Sequence, residues 1–194
     1  MLTLYKVALL FFTISSQIIR TRFQQRYRVS HSSKTEVRKA GREKILYLFV
    51  LLSFLIPELL WLFDLLNIGS FELAHLWRIL GIGIGFGALL LFFLTHKQLG
   101  DNWSGTLELR ENHELITSGV YSLVRHPMYS VFLLNILSKT LITANWIVGG
   151  VGLLAVVIMC IVRIPDEEKM MQDQFGEAYR AYMKKTKRLI PFLI

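Results

Sequence analysis

Long apolar runs alternate with polar, basic segments along this chain. Residues 2–19, 45–66 and 77–95 each hold close to the ~20 mostly apolar residues that a helix needs to cross a bilayer. We therefore predict three transmembrane helices in the first half of the chain. A cleaved signal peptide is the alternative for the first run, but no small-residue cleavage pattern follows it.

A fourth apolar stretch, residues 130–164, is too long to be a single span. Its 35 residues carry polar and small side chains near the middle, among them Lys139, Thr143 and Asn145. A helix rises about 1.5 Å per residue, so one unbroken helix would greatly exceed the bilayer core. We predict a helical hairpin that folds back between Lys139 and Asn145. The expected fold is an all-α polytopic membrane protein with five transmembrane helices, the last two forming the hairpin.

The charge pattern predicts how these helices are oriented. The chain carries a net charge of +8 with a mean hydropathy of +0.45, and nine Lys or Arg residues lie in the segment 20–44. Short basic loops stay on the cytoplasmic side of a membrane. We therefore expect the N-terminus outside, and the 20–44 loop and the C-terminus in the cytoplasm. Nucleic-acid binding is another interpretation of the charge, but contact with anionic lipid headgroups explains it more simply.

The chain divides into two parts on this pattern. Residues 1–95 hold three helices and the basic loop, and residues 96–194 hold a polar connection (96–129), the hairpin (130–164) and a charged tail (165–194). Apolar residues spaced three to four apart in the tail predict an amphipathic helix that begins at Pro165. We expect it to lie on the membrane surface and to close over the 96–129 connection.

The predicted hairpin brings two polar segments together, because it returns the chain to the side from which it started. Arg163, at the end of a membrane helix, is suited to hold a carboxylate, and Glu167 one turn later is suited to orient it. A snorkelling arginine neutralised by a local acid has the same spacing. The other segment contains a helix start at His126-Pro127, whose N–H groups can face an anion.

Tyr121 and Tyr129 flank that helix start. Their rings suit a purine or a cationic sulfonium, and interfacial belt aromatics are the alternative. Glu58 and Asp64 in the second span are interpreted as structural carboxylates near the outer interface. Gly81, Gly83, Gly85 and Gly87 are interpreted as helix-packing positions, because no strand precedes them as a nucleotide loop would require. The single cysteine, Cys160, excludes an internal disulfide, and the five histidines show no metal-ligand spacing.

The motifs of the second half resemble the isoprenylcysteine carboxyl methyltransferase family across residues 96–194. The resemblance is carried by the runs 113–121 and 125–129, by Glu167-Glu168, Phe175-Gly176, Tyr179 and Tyr182, and by Ile190-Pro191-Phe192. It implies an integral membrane enzyme that transfers a methyl group from S-adenosylmethionine to a carboxylate on a lipophilic, prenylcysteine-like substrate. By this resemblance Arg163 and Glu167 act in substrate binding and catalysis. The positions implied for the cofactor are His113, Glu114, Leu115, Ile116, Tyr121, His126, Pro127, Met128 and Tyr129.

Three other functions remain open at this point. Sterol reductases share an Arg-His-Pro-x-Tyr motif and a similar terminal run, but they use NADPH and are larger. A phospholipid or amine N-methyltransferase would use the same methyl donor. It would need an acidic side chain, rather than Arg163, facing the amine acceptor. A non-catalytic membrane scaffold would bind no cofactor. The identity of the methyl acceptor and the oligomeric state are not specified by the sequence.

Overall fold

All regular elements of the computed structural model are helices, within the residues that it describes: 2–30, 40–100 and 114–191. Four of these helices are long and apolar enough to cross a membrane, judged by length and composition. They are the first, second, third and sixth. The six helices are α1 (Leu2–Ser30), α2 (Ala40–Leu62), α3 (His75–Leu99), α4 (Val120–Leu123), α5 (Pro127–Thr143) and α6 (Trp146–Lys185).

The predicted hairpin is confirmed, but the predicted count of five long spans is not. The chain reverses at Ala144 and Asn145, between α5 and α6, where Ala144 adopts a left-handed conformation with φ 49°. The Asn145 side chain accepts hydrogen bonds from the N–H groups of Ile147 and Val148, which caps α6. α5 has only 17 residues, so the described part of the chain holds four candidate spans rather than five.

The predicted helix start at Pro165 is wrong, because α6 continues through this residue. The interruption comes instead at Gly176, which has a φ of 50° and open space around it. A proline inside a helix removes one backbone hydrogen bond. Ion pairs from Arg163 and Asp166 to α2 hold the helix on both sides of Pro165 and favour its continuation. The helices flanking the basic loop are also longer than predicted, since α1 ends at Ser30 and α2 begins at Ala40.

Two of the four glycines in α3 allow close packing, as the sequence predicts. A Cβ atom on Gly81 would lie 2.7 Å from Leu141 Cβ, and one on Gly85 would lie 2.6 Å from the Phe12 ring. Gly83 and Gly87 face the other way and would meet nothing within 4 Å. Alternate glycines therefore let α3 approach α5 and α1 closely.

Both carboxylates of the second apolar run are paired. Glu58, which is 1% exposed, forms an ion pair with Lys139 and accepts a hydrogen bond of 2.5 Å from Thr13. Asp64 pairs with Lys6 at 2.6 Å. A buried apolar cluster lies at the same end of the bundle; its residues are Tyr5, Leu9, Phe12, Trp61, Ile142 and Val148.

Candidate active site

A cavity of about 370 Å³ lies between α1, α2, α5, α6 and the segment that precedes α5. This volume is in the range of small-molecule sites. The cavity has both polar and apolar lining. One polar group is formed by Glu167 with His126 and Arg163, which both contact it, and a second is the Glu58–Lys139 pair. Apolar side chains line the part between the helices, including Val50, Phe54, Phe132 and Met159. An amphiphile with a polar head and an apolar body matches this division.

The two predicted polar segments share this cavity. His113 lies outside the described residues, and every other predicted site residue lines the cavity. These are Glu114, Leu115, Ile116, Tyr121, His126, Pro127, Met128, Tyr129, Arg163 and Glu167. The expectation that the hairpin brings residues near 126 against residues near 165 is therefore confirmed.

Local sequence shapes the segment that leads into α5. Gly119 has a φ of 56°, a conformation that glycine adopts without the strain imposed by a Cβ atom. The Gln98 side chain stabilises this turn by accepting a bond of 2.9 Å from the Val120 N–H and donating one of 2.6 Å to the Ser118 carbonyl. Pro127 then occupies the first turn of α5, so the predicted helix start is confirmed.

The tail after α6 holds the same segment from the other side. The Arg125 and His126 N–H groups donate to the carbonyls of Lys187 and Arg188 at 2.7 and 2.9 Å. The Tyr182 hydroxyl donates to the Tyr121 carbonyl at 2.5 Å. These contacts place the tail against the last part of the connection, residues 121–126, as predicted; residues 101–113 of the connection lie outside the described residues. The sequence did not single out Lys187 and Arg188, because backbone carbonyls leave no compositional signal.

Glu168 is the buried centre of an ion-pair cluster and is 4% exposed. Its carboxylate accepts from Arg125 at 2.8 Å and from Arg188 at 2.7 Å, and it lies 3.4 Å from His126 Nε2. Three basic groups on one buried carboxylate fix the position of the Arg125-His126 pair. The hydrogen bond to Glu168 also raises the pKa of Arg188 above its ordinary value.

Glu167 connects the two sides of the cavity. The Tyr129 hydroxyl donates to its Oε1 at 2.7 Å, His126 Nδ1 lies 3.3 Å from Oε2, and Arg163 Nη2 lies 3.2 Å from Oε1. Burial alone would lower the pKa of His126. Hydrogen bonds to Glu167 and Glu168 outweigh that effect, so the pKa of His126 is raised above its ordinary value and the charged imidazolium is favoured.

Arg163 has a second carboxylate partner that sequence reasoning missed. Glu43, in the first turn of α2, lies 3.3 Å from Arg163 Nε, and its side chain is only 1% exposed. The neighbouring Arg42 pairs with Asp166 at 2.5 Å. These contacts join α2 to α6 beside the cavity. The available signal was an acid at a helix start inside a strongly basic segment.

Comparison with known sequences finds similar proteins for the second half of the chain. The sequence model of the Isoprenylcysteine carboxyl methyltransferase (ICMT) family matches residues 80–173. Protein-S-isoprenylcysteine O-methyltransferase B of Arabidopsis thaliana is 31% identical over 96 residues, which are 48% of this chain and 49% of that protein. The cobalt-zinc-cadmium resistance protein CzcN of Cupriavidus metallidurans is 37% identical over 84 residues, which are 43% of this chain and 38% of that protein. The chain thus spans about half or less of the length of these curated relatives.

A solved structure shares the fold over a larger part of the chain. The eukaryotic intramembrane Ras methyltransferase ICMT aligns with a TM-score of 0.56 and 22% identity, covering 81% of this chain and 55% of that one. The fold is accordingly that of an integral membrane protein built from helices. Residues 80–173 are thus similar to the isoprenylcysteine carboxyl methyltransferase family, and they contain every predicted site residue that lines the cavity.

Proposed function

We propose that this protein transfers a methyl group from S-adenosylmethionine to the carboxylate of a lipophilic, prenylcysteine-like acceptor. The observation that carries the proposal is one continuous cavity with a polar group at Arg163, Glu167 and His126 and an apolar wall between the helices. A lipid with an acidic head group needs a polar site for the head group and an apolar surface for its chain. The activity is inferred for this chain from its similarity to this family and from its site, since the chain covers about half of the relatives whose names state it.

This polar group fits the chemistry of the proposed methyl donor. The Glu167 carboxylate and the rings of Tyr121 and Tyr129, which line the cavity, would attract its cationic sulfonium. When bound, S-adenosylmethionine supplies an electrophilic methyl group. We propose that the residues holding it are His113, Glu114, Leu115, Ile116, Tyr121, His126, Pro127, Met128 and Tyr129.

Arg163 and Glu167 are the proposed catalytic residues. A substrate carboxylate is already ionised near neutral pH, so no general base is needed to create the nucleophile. Arg163 would position this carboxylate, and its pairing with Glu167 and Glu43 fixes the guanidinium in one place. The apolar wall excludes water from the reacting atoms, which strengthens these electrostatic contacts. Catalysis here rests on placement of the reactants.

We further propose a five-helix topology with the site on the cytoplasmic side. α5, with 17 residues, reaches about 26 Å, close to the thickness of a thin bilayer. Lys187 and Arg188 of the basic tail accept backbone hydrogen bonds from Arg125 and His126 beside the cavity, and the positive-inside rule favours the cytoplasm for such a basic end. Residues 96–194 then carry most of the chemistry, and residues 1–95 complete the wall.

The test of this function is a transfer assay with labelled S-adenosylmethionine in lipid nanodiscs. The acceptors are a prenylcysteine, a fatty acid and an amine-headgroup lipid. We expect label on the prenylcysteine and none on the amine. Label on the amine alone would favour an N-methyltransferase, and no transfer to any acceptor would contradict the proposal. Calorimetry with S-adenosylhomocysteine and NADPH in parallel separates a methyltransferase from a reductase.

A further inference from the structure

Arg20 differs from the other cations that line the cavity. Those others, within the residues the structure describes, are each paired with a carboxylate: Arg125 and His126 with Glu168, Lys139 with Glu58, and Arg163 with Glu167 and Glu43. Arg20 has no carboxylate at ion-pair distance in the described ranges 2–30, 40–100 and 114–191. A positive charge inside a membrane bundle is costly unless it is paired or functional.

The position of Arg20 directs its charge into the cavity. Its guanidinium carbon lies 4.3 Å from the centroid of the Tyr47 ring of α2, and Tyr47 also lines the cavity. Arg20 and Arg163 both line this cavity, which therefore brings two like charges together. α1 continues for ten residues beyond Arg20 to Ser30, so this arginine is not at the end of its helix. An anion between Arg20 and Arg163 would relieve their repulsion.

We propose that Arg20 binds the carboxylate of the lipophilic acceptor. Arg163 already faces two carboxylates, Glu43 and Glu167, so it can orient an incoming anion by hydrogen bonds but needs a second cation to attract that anion strongly. Arg20 supplies this second cation, through a guanidinium suited to a paired grip on a carboxylate. This inference rests on the proposed function and names a residue of the substrate site that the family motifs of the second half do not contain.

The position of Arg20 favours the carboxylate of the acceptor over the carboxylate of the methyl donor as the anion that it binds. Arg20 belongs to a face of α1 that continues along the cavity towards the membrane interior through Gln17, Ser16 and Thr13. The residues proposed for the donor come from the other wall, the 114–129 segment. An acidic head at Arg20 would leave its tail among the apolar side chains between the helices.

The binding test uses palmitate and its uncharged carboxamide as probes, in nanodiscs made of zwitterionic lipid. We expect Arg20→Gln to weaken palmitate about 10- to 100-fold, the range of a hydrogen bond to a charged group, and to leave the carboxamide within about twofold. Arg20→Lys should retain part of the preference for the acid. Arg22→Gln is the matched control, because Arg22 is an exposed arginine of the same helix that does not line the cavity.

Three outcomes would overturn the proposal. Equal loss of the acid and the carboxamide would mean that Arg20 only supports the fold. If Arg20→Gln weakens S-adenosylhomocysteine binding and leaves palmitate binding intact, Arg20 belongs to the donor site. If palmitate binding is unchanged and nothing else is lost, Arg20 takes no part in binding the acceptor. If the wild type binds palmitate through Arg20 but methylates no acceptor, the proposed function fails while the anion site stands.

Kinetics give a second, independent readout if methylation is found. The acceptor loses its negative charge as the ester forms, so attraction to Arg20 is weaker in the transition state than in the bound acid. We therefore expect Arg20→Gln to raise the KM for the acid without lowering kcat. A fall in kcat at unchanged KM would contradict a role in binding the carboxylate.

Discussion

The Tyr129 hydroxyl donates a hydrogen bond of 2.7 Å to Glu167, joining the first turns of α5 to the part of α6 that lies beyond the membrane-length apolar run. The two residues are 38 positions apart in sequence, and the hairpin between them brings them together. The same carboxylate contacts His126 and Arg163. One glutamate therefore sets the distance between the two polar sides of the cavity.

Replacing Tyr129 with phenylalanine should loosen this connection. Y129F removes a hydrogen bond to a charged group, which contributes about 1.5–3 kcal/mol to stability. We expect a lower thermal midpoint and weaker S-adenosylhomocysteine binding, measured by scanning fluorimetry and calorimetry in detergent. Y179F is the matched control, since within the described residues the Tyr179 hydroxyl makes no hydrogen bond. Equal effects of both changes would argue against a special role for the Tyr129 contact.

Removing Arg163 should separate stability from activity. Among the residues that the structure describes, R163A leaves the buried carboxylate of Glu43 with only the more distant Arg42, at 3.4 Å, and complete loss of a buried pair costs about 3–5 kcal/mol, so we expect a loss of up to that size. The double variant E43Q/R163A should recover much of that stability and still show a strongly raised KM for the acceptor. S-adenosylhomocysteine binding should stay near normal in the double variant. Restored methylation in E43Q/R163A would show that Arg163 serves only to neutralise Glu43.

The pH dependence of stability should report on His126. Its pKa is raised above the ordinary 6.5 by Glu167 and Glu168, against the opposing effect of burial. A raised pKa means that the stabilisation is fully present below pH 6.5 and is lost as the pH rises through the higher, folded-state pKa. We expect the thermal midpoint of the wild type to fall as the pH is raised above 6.5, and H126Q to lack this component. Identical slopes for the two proteins would contradict the charged imidazolium.

The Lys139–Glu58 pair should behave as a buried ion pair. Either K139M or E58L alone leaves one charge without its partner, at a cost of about 3–5 kcal/mol. The double variant removes both charges and should be close to the wild type in stability. Thermal unfolding of the three variants completes a double-mutant cycle. A double variant as unstable as the sum of the single ones would show that the pair is not coupled.

The effect of a glycine substitution in α3 on stability should depend on the face of the helix that the glycine occupies. G81A places a methyl group against Leu141 and the backbone of α5, so we expect a loss of about 1–3 kcal/mol. The methyl group added by G83A would have no atom within 4 Å, so the variant should be neutral or stabilising, because alanine favours a helix by about 1 kcal/mol over glycine. Thermal unfolding of the two single variants measures the difference. Similar midpoints would mean that α3 and α5 are not closely packed at Gly81.

Sequence patterns predict the hairpin because its turn residues differ chemically from their surroundings. Asn145 is a strong helix-capping residue between two apolar arms, and Pro127 marks a helix start. Pro165 gives the same local signal, yet α6 continues through it. The contacts that hold it helical come from α2, far away in sequence, and no local pattern contains them.

The same limit explains which site residues the sequence leaves unidentified. Glu43 and Arg20 lie in a segment whose many charges have a sufficient explanation in membrane topology. Their role becomes visible only when α1 and α2 are packed against α6, where Glu43 faces Arg163 and Arg20 lines the cavity. Motifs of the second half therefore predict one wall of the cavity, and the packing of α1 and α2 supplies the other wall with Arg20 and, beside it, Glu43.

The chemical stability of the transferred label tests the central claim most directly. A methyl group placed on a carboxylate forms an ester, which mild base hydrolyses to methanol, whereas a methyl group on nitrogen resists base. With labelled S-adenosylmethionine and a prenylcysteine acceptor, we predict that base releases the label from the product as volatile methanol. Label that stays on the acceptor after base treatment, or no label on the acceptor at all, would contradict carboxyl methylation in this cavity.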